Sequence, residues 1–254
     1  MLKNTLIIMG LGLSSCATFQ KTPVVKVVVS DQQAIEAYAK VLEDFVNVKG
    51  EIDFNGLQRS PQDLEDYVAY IAQKKWSDFK SSDELLAYHL NAYNALSMNT
   101  VIQKGIPETN AGFKKVQFFY LTKMEIGGQR MSLVTYETDF IRKMNEDRVH
   151  WALNCMAVSC PRLPRKPFAA ETLNQDLQDL AVEFFNSDKN VRFDSDHKIV
   201  QVTEILKFFP EDFVPKKAAT IVDYVNLYRQ DKIPTNYSVN YIPYDWTINN
   251  SNRH

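Results

Sequence analysis

The residues best suited to chemistry lie close together in the sequence. His150 stands five residues before Cys155 and ten before Cys160, and Glu137 lies just upstream. A cysteine becomes a nucleophile when a base favours its thiolate, and His150 could be that base. Glu137 or an asparagine could hold the imidazole in one tautomer. The alternative is a buried histidine that bonds to the backbone and takes part in no reaction.

The two cysteines of this segment allow three roles. Cys155 and Cys160 are the only cysteines of the chain besides Cys16. Exported compartments favour disulfides, and four intervening residues allow a small loop when the Cα atoms come within about 7 Å. If the sulfurs pair, neither can attack a substrate. A structural disulfide, a thiol nucleophile and an inert buried thiol therefore all remain open. Two cysteines and one histidine match no defined zinc spacing, so no metal site is predicted.

Three further residues are candidates for binding. Asn91 and Asn94 are three residues apart and share one helix face. They could fasten loops to that helix, which we favour, or polarise a substrate carbonyl. Arg148 could pair with Glu137 or Asp147 as part of the scaffold, or could recognise an anion.

Hydrophobic periodicity places these residues on a mostly helical framework. Helices are predicted from Asp31 to Lys49-Gly50, from Ser60-Pro61, and from Ser82 to Gly105. Further helices are predicted over 136–144, 171–185 and 219–228. Short β-like runs cover 117–121, 123–126 and 130–133, with Gly127-Gly128 as a hairpin turn, and 191–193 and 199–202 form a second hairpin. Residues 148–153 could be strand or helix. The pattern predicts one helix-dominated α+β domain with a small β-sheet.

The start of the chain is typical of a bacterial lipoprotein signal. Lys3 precedes an apolar run over 6–13 that is too short to span a bilayer. Leu13-Ser14-Ser15-Cys16 resembles a lipobox, after which Cys16 would be acylated and anchor the chain to a lipid bilayer. Ala17 after that cysteine favours the outer membrane, facing the periplasm. We predict a signal at 1–16, a tether at 17–30 and a globular domain at 31–250. The alternative is an ordinary secretory signal.

Composition excludes several classes of function. The chain of 254 residues has 29 basic and 31 acidic side chains, without the basic excess typical of nucleic-acid binding. It contains only eight glycines and neither a Walker loop nor a dinucleotide fingerprint. No cofactor and no nucleic-acid partner are therefore predicted. A small molecule or a peptide remains as the class of ligand.

An ordered set of motifs runs along the chain. It includes Asn-Ala-Tyr-Asn-Ala at 91–95, Ile126-Gly127-Gly128, the run 147–155, Ser159-Cys160-Pro161, Asp212-Phe213 and Tyr244-Asp245-Trp246. Over about residues 36–249, this set resembles the domain of unknown function 547 family. The chain departs from the family at His89, where relatives have an aromatic, and at Glu137-Thr138, where they often have Glu-His.

The resemblance implies a fold but no established activity. The cysteine, histidine and amide content gives a distant analogy to papain-like or transglutaminase-like proteins. Two functions follow. One is an envelope lipoprotein with a binding or structural role. The other is a thiol-dependent amide hydrolase or acyl transferase that uses Cys155 or Cys160 with His150.

Overall fold

The computed structural model describes residues 30–253. The predicted lipoprotein signal and the tether, apart from Ser30, lie outside the described residues. Ser30 caps the first helix, because its hydroxyl accepts from the Gln33 N–H while the Gln33 side chain bonds back to Ser30. Over residues 30–253, no helix combines the length and apolar character needed to cross a bilayer.

Four helices build the first half of the described chain. They are α1 (Asp31–Phe45), α2 (Phe54–Arg59), α3 (Gln62–Gln73) and α4 (Ser82–Gln103). Helices α1 and α3 pack through stacked Tyr38 and Tyr67 rings 4.6 Å apart. Helix α4 is buried on all its faces rather than along one apolar stripe. Nearly every residue from Leu86 to Val101 is buried. This central helix carries Asn91 and Asn94.

The middle of the chain corrects one sequence prediction. The β-like run at 117–121 is instead a short π-helix (Gln117–Leu121) that continues α5 (Phe113–Val116). Phe118 and Phe119 are both buried with ring centroids 4.9 Å apart, whereas a strand would place adjacent side chains on opposite faces. The predicted hairpin is confirmed as β1 (Met124–Ile126) and β2 (Gln129–Met131). Gly127 and Gly128 both adopt positive φ in its turn.

The following segments lead towards the candidate site. Helix α6 (Leu133–Tyr136) continues as a short π-helix (Glu137–Ile141). The run near His150, for which the sequence allowed strand or helix, contains a 3₁₀-helix (Asp147–Trp151). Helix α7 (Leu173–Phe185) follows. Strand β3 (Val191–Asp194) pairs antiparallel with β4 (Ile199–Thr203), which confirms the second hairpin.

The rest of the described chain adds three α-helices, a strand and a short 3₁₀-helix at Ser251–Arg253. The α-helices are α8 (Ile205–Phe208), α9 (Pro210–Phe213) and α10 (Ile221–Tyr228). Strand β5 (Ser238–Ile242), which the sequence analysis missed, pairs parallel with β4. The final tail crosses back over the molecule, where the carbonyls of Trp246 and Thr247 accept from Asn110 and Val158. With its two small sheets over the described residues, the fold is helix-dominated α+β, as predicted.

Candidate functional site

Four predicted site residues border one pocket. Glu137, His150, Cys155 and Cys160 all line a cavity of about 310 Å³, which we call the thiol pocket. Its walls are rich in aromatic rings, from Tyr93, Phe119, Tyr120, Phe208, Phe209, Tyr244 and Trp246. Such an opening, apolar at its walls with a few convergent polar groups, is the usual form of a small-molecule site.

The two cysteines are held against each other by a pinned loop. Both are free and buried, with their Sγ atoms 3.0 Å apart. Asn154 fixes the loop at both ends, because its Oδ1 accepts from the Met156 N–H and its Nδ2 donates to the Pro161 carbonyl. Met156 adopts a positive φ of 66°, a strained conformation for a residue with a side chain. The loop therefore stores local strain beside the sulfurs.

Cys160 receives more donors than Cys155. Its Sγ accepts from the Cys155 backbone N–H at 3.1 Å and lies 3.1 Å from the Tyr244 hydroxyl. Burial alone would raise the pKa of Cys160, but hydrogen bonds from Cys155 and Tyr244 outweigh it and lower that pKa. The hydrogen bond to Cys160, together with burial, raises the pKa of Cys155 well above its usual value. The pair is thus polarised, with Cys160 the more acidic of the two thiols.

His150 bonds to a carboxylate rather than to a sulfur. Its Nε2 lies 2.8 Å from Oδ2 of Asp212, which also accepts from Nε of Arg142 at 2.6 Å. Burial would raise the pKa of Asp212, yet the bonds from His150 and Arg142 hold it well below its usual range. The imidazole also stacks on Phe209, with ring centroids 4.7 Å apart. Nδ1 has no hydrogen-bond partner among residues 30–253.

This geometry corrects the predicted partners of His150. We expected Glu137, an asparagine amide or a sulfur within hydrogen-bond reach, and the bond goes instead to Asp212 on α9. The reason is competition, since Asp212 is ionised and already fixed by Arg142. Glu137 is bonded to the Tyr93 hydroxyl at 3.1 Å instead. Burial raises the pKa of Glu137, with His150 and Tyr93 opposing it only in part.

Part of the chain is similar to a known protein family. Residues 77–185 match the model of the family described as "Protein of unknown function, DUF547". Through this stretch, the chain is similar to the DUF547 family. The match is narrower than the span over which the motifs resemble that family. The chain has no significant match among curated proteins or solved structures. The analogy to papain-like or transglutaminase-like proteins therefore remains a prediction.

The DUF547 stretch supplies only part of the thiol pocket. It contains Glu137, His150 and both cysteines, whereas Asp212 and Tyr244 lie beyond it. In the sequence, Asp212 and Tyr244 stand out only as members of motifs, and nothing there indicates their chemistry. Asp212 is 62 residues from His150, and Tyr244 is 84 residues from Cys160. At such separations, the spacing in the sequence does not indicate a contact. Their position within ordered motifs that carry polar residues among aromatics was the one available clue.

The other candidate residues belong to the scaffold. Asn91 exchanges two hydrogen bonds of 2.9 Å with the Phe168 backbone, and Asn94 bonds to the Ala152 carbonyl and the Asn154 N–H. Both amides are buried and neither lines the thiol pocket. The loop-fastening interpretation thus fits the structure, and the carbonyl-polarising interpretation does not. We call Asn91, Asn94 and Asn154 the amide staple.

Arg148 and His89 also serve packing. Arg148 forms a two-point ion pair with Glu146, at 2.8 Å for each bond, rather than with Glu137 or Asp147. His89 is buried with its Nδ1 2.7 Å from the Tyr136 hydroxyl, and burial lowers its pKa to about 4. Among residues 30–253, no group of three or more His, Cys, Asp or Glu side chains is arranged to hold a metal ion.

Proposed function

We propose that this DUF547 protein is a lipid-anchored component of the bacterial envelope that binds a small molecule or a peptide segment in the thiol pocket. The anchor would be Cys16, acylated within the lipobox-like sequence and inserted in the outer membrane from the periplasmic side. The pocket is the observation that carries the binding role.

The lining favours a ligand with an apolar or aromatic body and an acceptor at one end. Lys115 stands at the pocket, its Nζ 4.1 Å from the Trp246 ring centroid and 5.0 Å from that of Phe208. An ammonium group held over two aromatic rings can bind an anionic group of the ligand while it keeps its contacts with the rings. At the floor, the raised pKa of Glu137 makes that carboxyl a hydrogen-bond donor over a wider pH range.

A fluorescent aromatic anion, anilinonaphthalene sulfonate, tests the binding role. Tyr120 lines the pocket while its side chain is 52% exposed, so Tyr120→Ala removes a wall with little risk to folding. We expect this change to weaken probe binding about fivefold. Phe193→Ala is the matched control, since Phe193 is 43% exposed and lies outside the pocket lining. Equal probe affinity in both variants and the wild type would refute the pocket as the binding site.

Substitution of Cys16 tests the anchor separately. Only a cysteine can carry the acyl chains, so Cys16→Ser should leave an uncut or soluble form. Membrane fractionation and intact mass measure this directly. Unchanged fractionation and unchanged mass would refute the lipobox.

The thiol-dependent hydrolase or acyl transferase is less well supported. That function needs an imidazole nitrogen within about 3–4 Å of a free thiol. Within the described residues, His150 forms no hydrogen bond with Cys155 or Cys160, and its Nε2 is committed to Asp212.

A further inference from the structure

The sulfur pair has features that ligand binding does not use. Cys155 and Cys160 are free, and their Sγ atoms are 3.0 Å apart, about 1 Å beyond the length of a disulfide bond. Neither sulfur bonds to a histidine or to a charged group among residues 30–253. Their polar contacts are each other, the backbone N–H groups of Cys155 and Ala157, and the Tyr244 hydroxyl. Such an arrangement suits chemistry between the two sulfurs better than acyl transfer.

We propose that Cys155 and Cys160 form a thiol–disulfide exchange centre that reacts with a low-molecular-weight disulfide admitted by the thiol pocket. The inference shares the pocket of the proposed function but does not depend on the membrane anchor. The oxidant is the incoming disulfide, so no metal or other cofactor is required.

Access and polarity identify Cys160 as the attacking sulfur. Cys160 borders the thiol pocket and also a second cavity of about 590 Å³, which Cys155 does not border. Four groups can donate to the Cys160 sulfur: the Cys155 and Ala157 backbone N–H groups, the Cys155 thiol and the Tyr244 hydroxyl. Hydrogen bonds of this kind stabilise a thiolate, which is the form that attacks a disulfide.

The exchange balances in two steps. The Cys160 thiolate attacks one sulfur of the incoming disulfide, which forms a mixed disulfide and releases the other half as a thiolate. Cys155 then gives up its proton to the thiolate released in the first step, attacks the Cys160 Sγ and releases the second half as a thiolate. The protein dithiol is oxidised to a disulfide and the small disulfide is reduced to two thiols. The short separation of the sulfurs favours the second step over release of the mixed disulfide.

Tyr244 positions and polarises the pair. Its hydroxyl lies 3.1 Å from the Cys160 Sγ and 3.4 Å from the Cys155 Sγ, so it can follow the negative charge from one sulfur to the other. Loss of this hydroxyl should raise the pH at which the reaction reaches half its maximal rate. A residue that only packs would leave that pH profile unchanged.

Reaction with dithiodipyridine tests the centre, because each released thione absorbs light. The full chain carrying Cys16→Ser leaves only the two pocket thiols. We expect two thiones per chain, a mass lower than that of the reduced chain by about two units, and a Cys155–Cys160 link in the peptide map. Stable single labelling, or double labelling without a link, would overturn the proposal.

Single variants separate the roles of the sulfurs. In the same background, Cys155→Ser should release one thione and retain the mixed disulfide on Cys160. Cys160→Ser should react about tenfold more slowly, because Cys155 has fewer and longer donor contacts to favour a thiolate. A faster reaction at Cys155 would reverse the assignment and refute it.

Tyrosine variants test the hydroxyl. Tyr244→Phe should slow the first release about threefold and move the pH profile upward. Tyr241→Phe is the matched control from the same part of the chain, since the Tyr241 ring packs under Lys207 and borders neither cavity. A slower rate with an unchanged pH profile in Tyr244→Phe would refute the polarising role.

The failure of this inference can be distinguished from that of the proposed function. A Cys155→Ser/Cys160→Ser chain cannot exchange, but it retains the aromatic walls that bind anilinonaphthalene sulfonate. Probe binding without thione release in the wild type would refute exchange alone. Thione release with a Tyr120-independent probe affinity would refute the binding role alone. Glutathione disulfide in place of dithiodipyridine shows whether the pocket prefers an aromatic or a peptide-like disulfide.

Discussion

The amide staple and the thiol pocket both contain buried polar side chains, but their hydrogen bonds go to different partners. In the staple, the side chains of Asn91 and Asn94 bond to the backbone of distant loops. In the pocket, Cys160 bonds to Tyr244 and His150 bonds to Asp212, so side chains pair with side chains beside an opening.

The same contrast holds for the two buried histidines. His89 lies on α4 beside the staple and meets the neutral hydroxyl of Tyr136, within a cluster of aromatic rings. His150 lines the pocket and meets the ionised Asp212. Bonds to the backbone fix loops in place, whereas pairs of ionisable side chains at a cavity leave groups that can still exchange protons or electrons.

His89 offers the largest test of this comparison. Burial lowers its pKa from 6.5 to about 4, so the folded state resists the proton that the unfolded state accepts. The resulting stability is present above pH 6.5 and is lost as the pH falls to about 4. Wild type should lose about 3 kcal/mol relative to His89→Phe between these values. Urea unfolding across this pH range measures the difference, and parallel curves would contradict the buried neutral histidine.

The staple itself gives the next largest effect. Asn94→Leu leaves the Ala152 carbonyl and the Asn154 N–H without their partner, which should lower the free energy of unfolding by about 1–3 kcal/mol. Asn99→Leu on the same helix is the matched control, because Asn99 is only partly buried and should change stability by less than about 0.5 kcal/mol. If both variants lost the same free energy of unfolding, the helix as a whole would be sensitive to substitution, and the staple would have no special role.

The acidic pair around Arg142 sharpens the comparison on the pocket side. Asp212 and Glu211 both bind Arg142, but Asp212 is 14% exposed and Glu211 is 64% exposed. Asp212→Asn should cost about 1–2 kcal/mol, since it weakens charge-assisted bonds to both Arg142 and His150. Glu211→Gln should cost less than about 0.5 kcal/mol, as expected for an exposed ion pair. Thermal or urea unfolding of the two variants decides the matter, and a larger loss in Glu211→Gln would contradict it.

The scaffold was easier to predict from sequence than the pocket. The helix that carries the staple has clear end signals, and amides three residues apart on a helix share a face. The run over 117–121 misled, because a short apolar segment does not distinguish a strand from a buried helical turn. Cys155, Cys160 and His150 were found by their residue types. Their partners Tyr244 and Asp212 were not, because only the folded chain brings them near.

Glu137 gives the smallest effect, and the sign of that effect is informative. Burial raises its pKa, against partial opposition from His150 and Tyr93. The stability linked to this group is therefore fully present below the unfolded value of 4.5 and is lost as the pH rises through the folded value. Glu137→Gln cannot ionise, so wild type should lose stability relative to that variant as the pH rises, measured by urea unfolding at pH steps above 4.5. If wild type instead gained stability with rising pH, Tyr93 and His150 would outweigh burial. The floor of the pocket would then be as fully satisfied as the amide staple, and the contrast between the two regions would be lost at this residue.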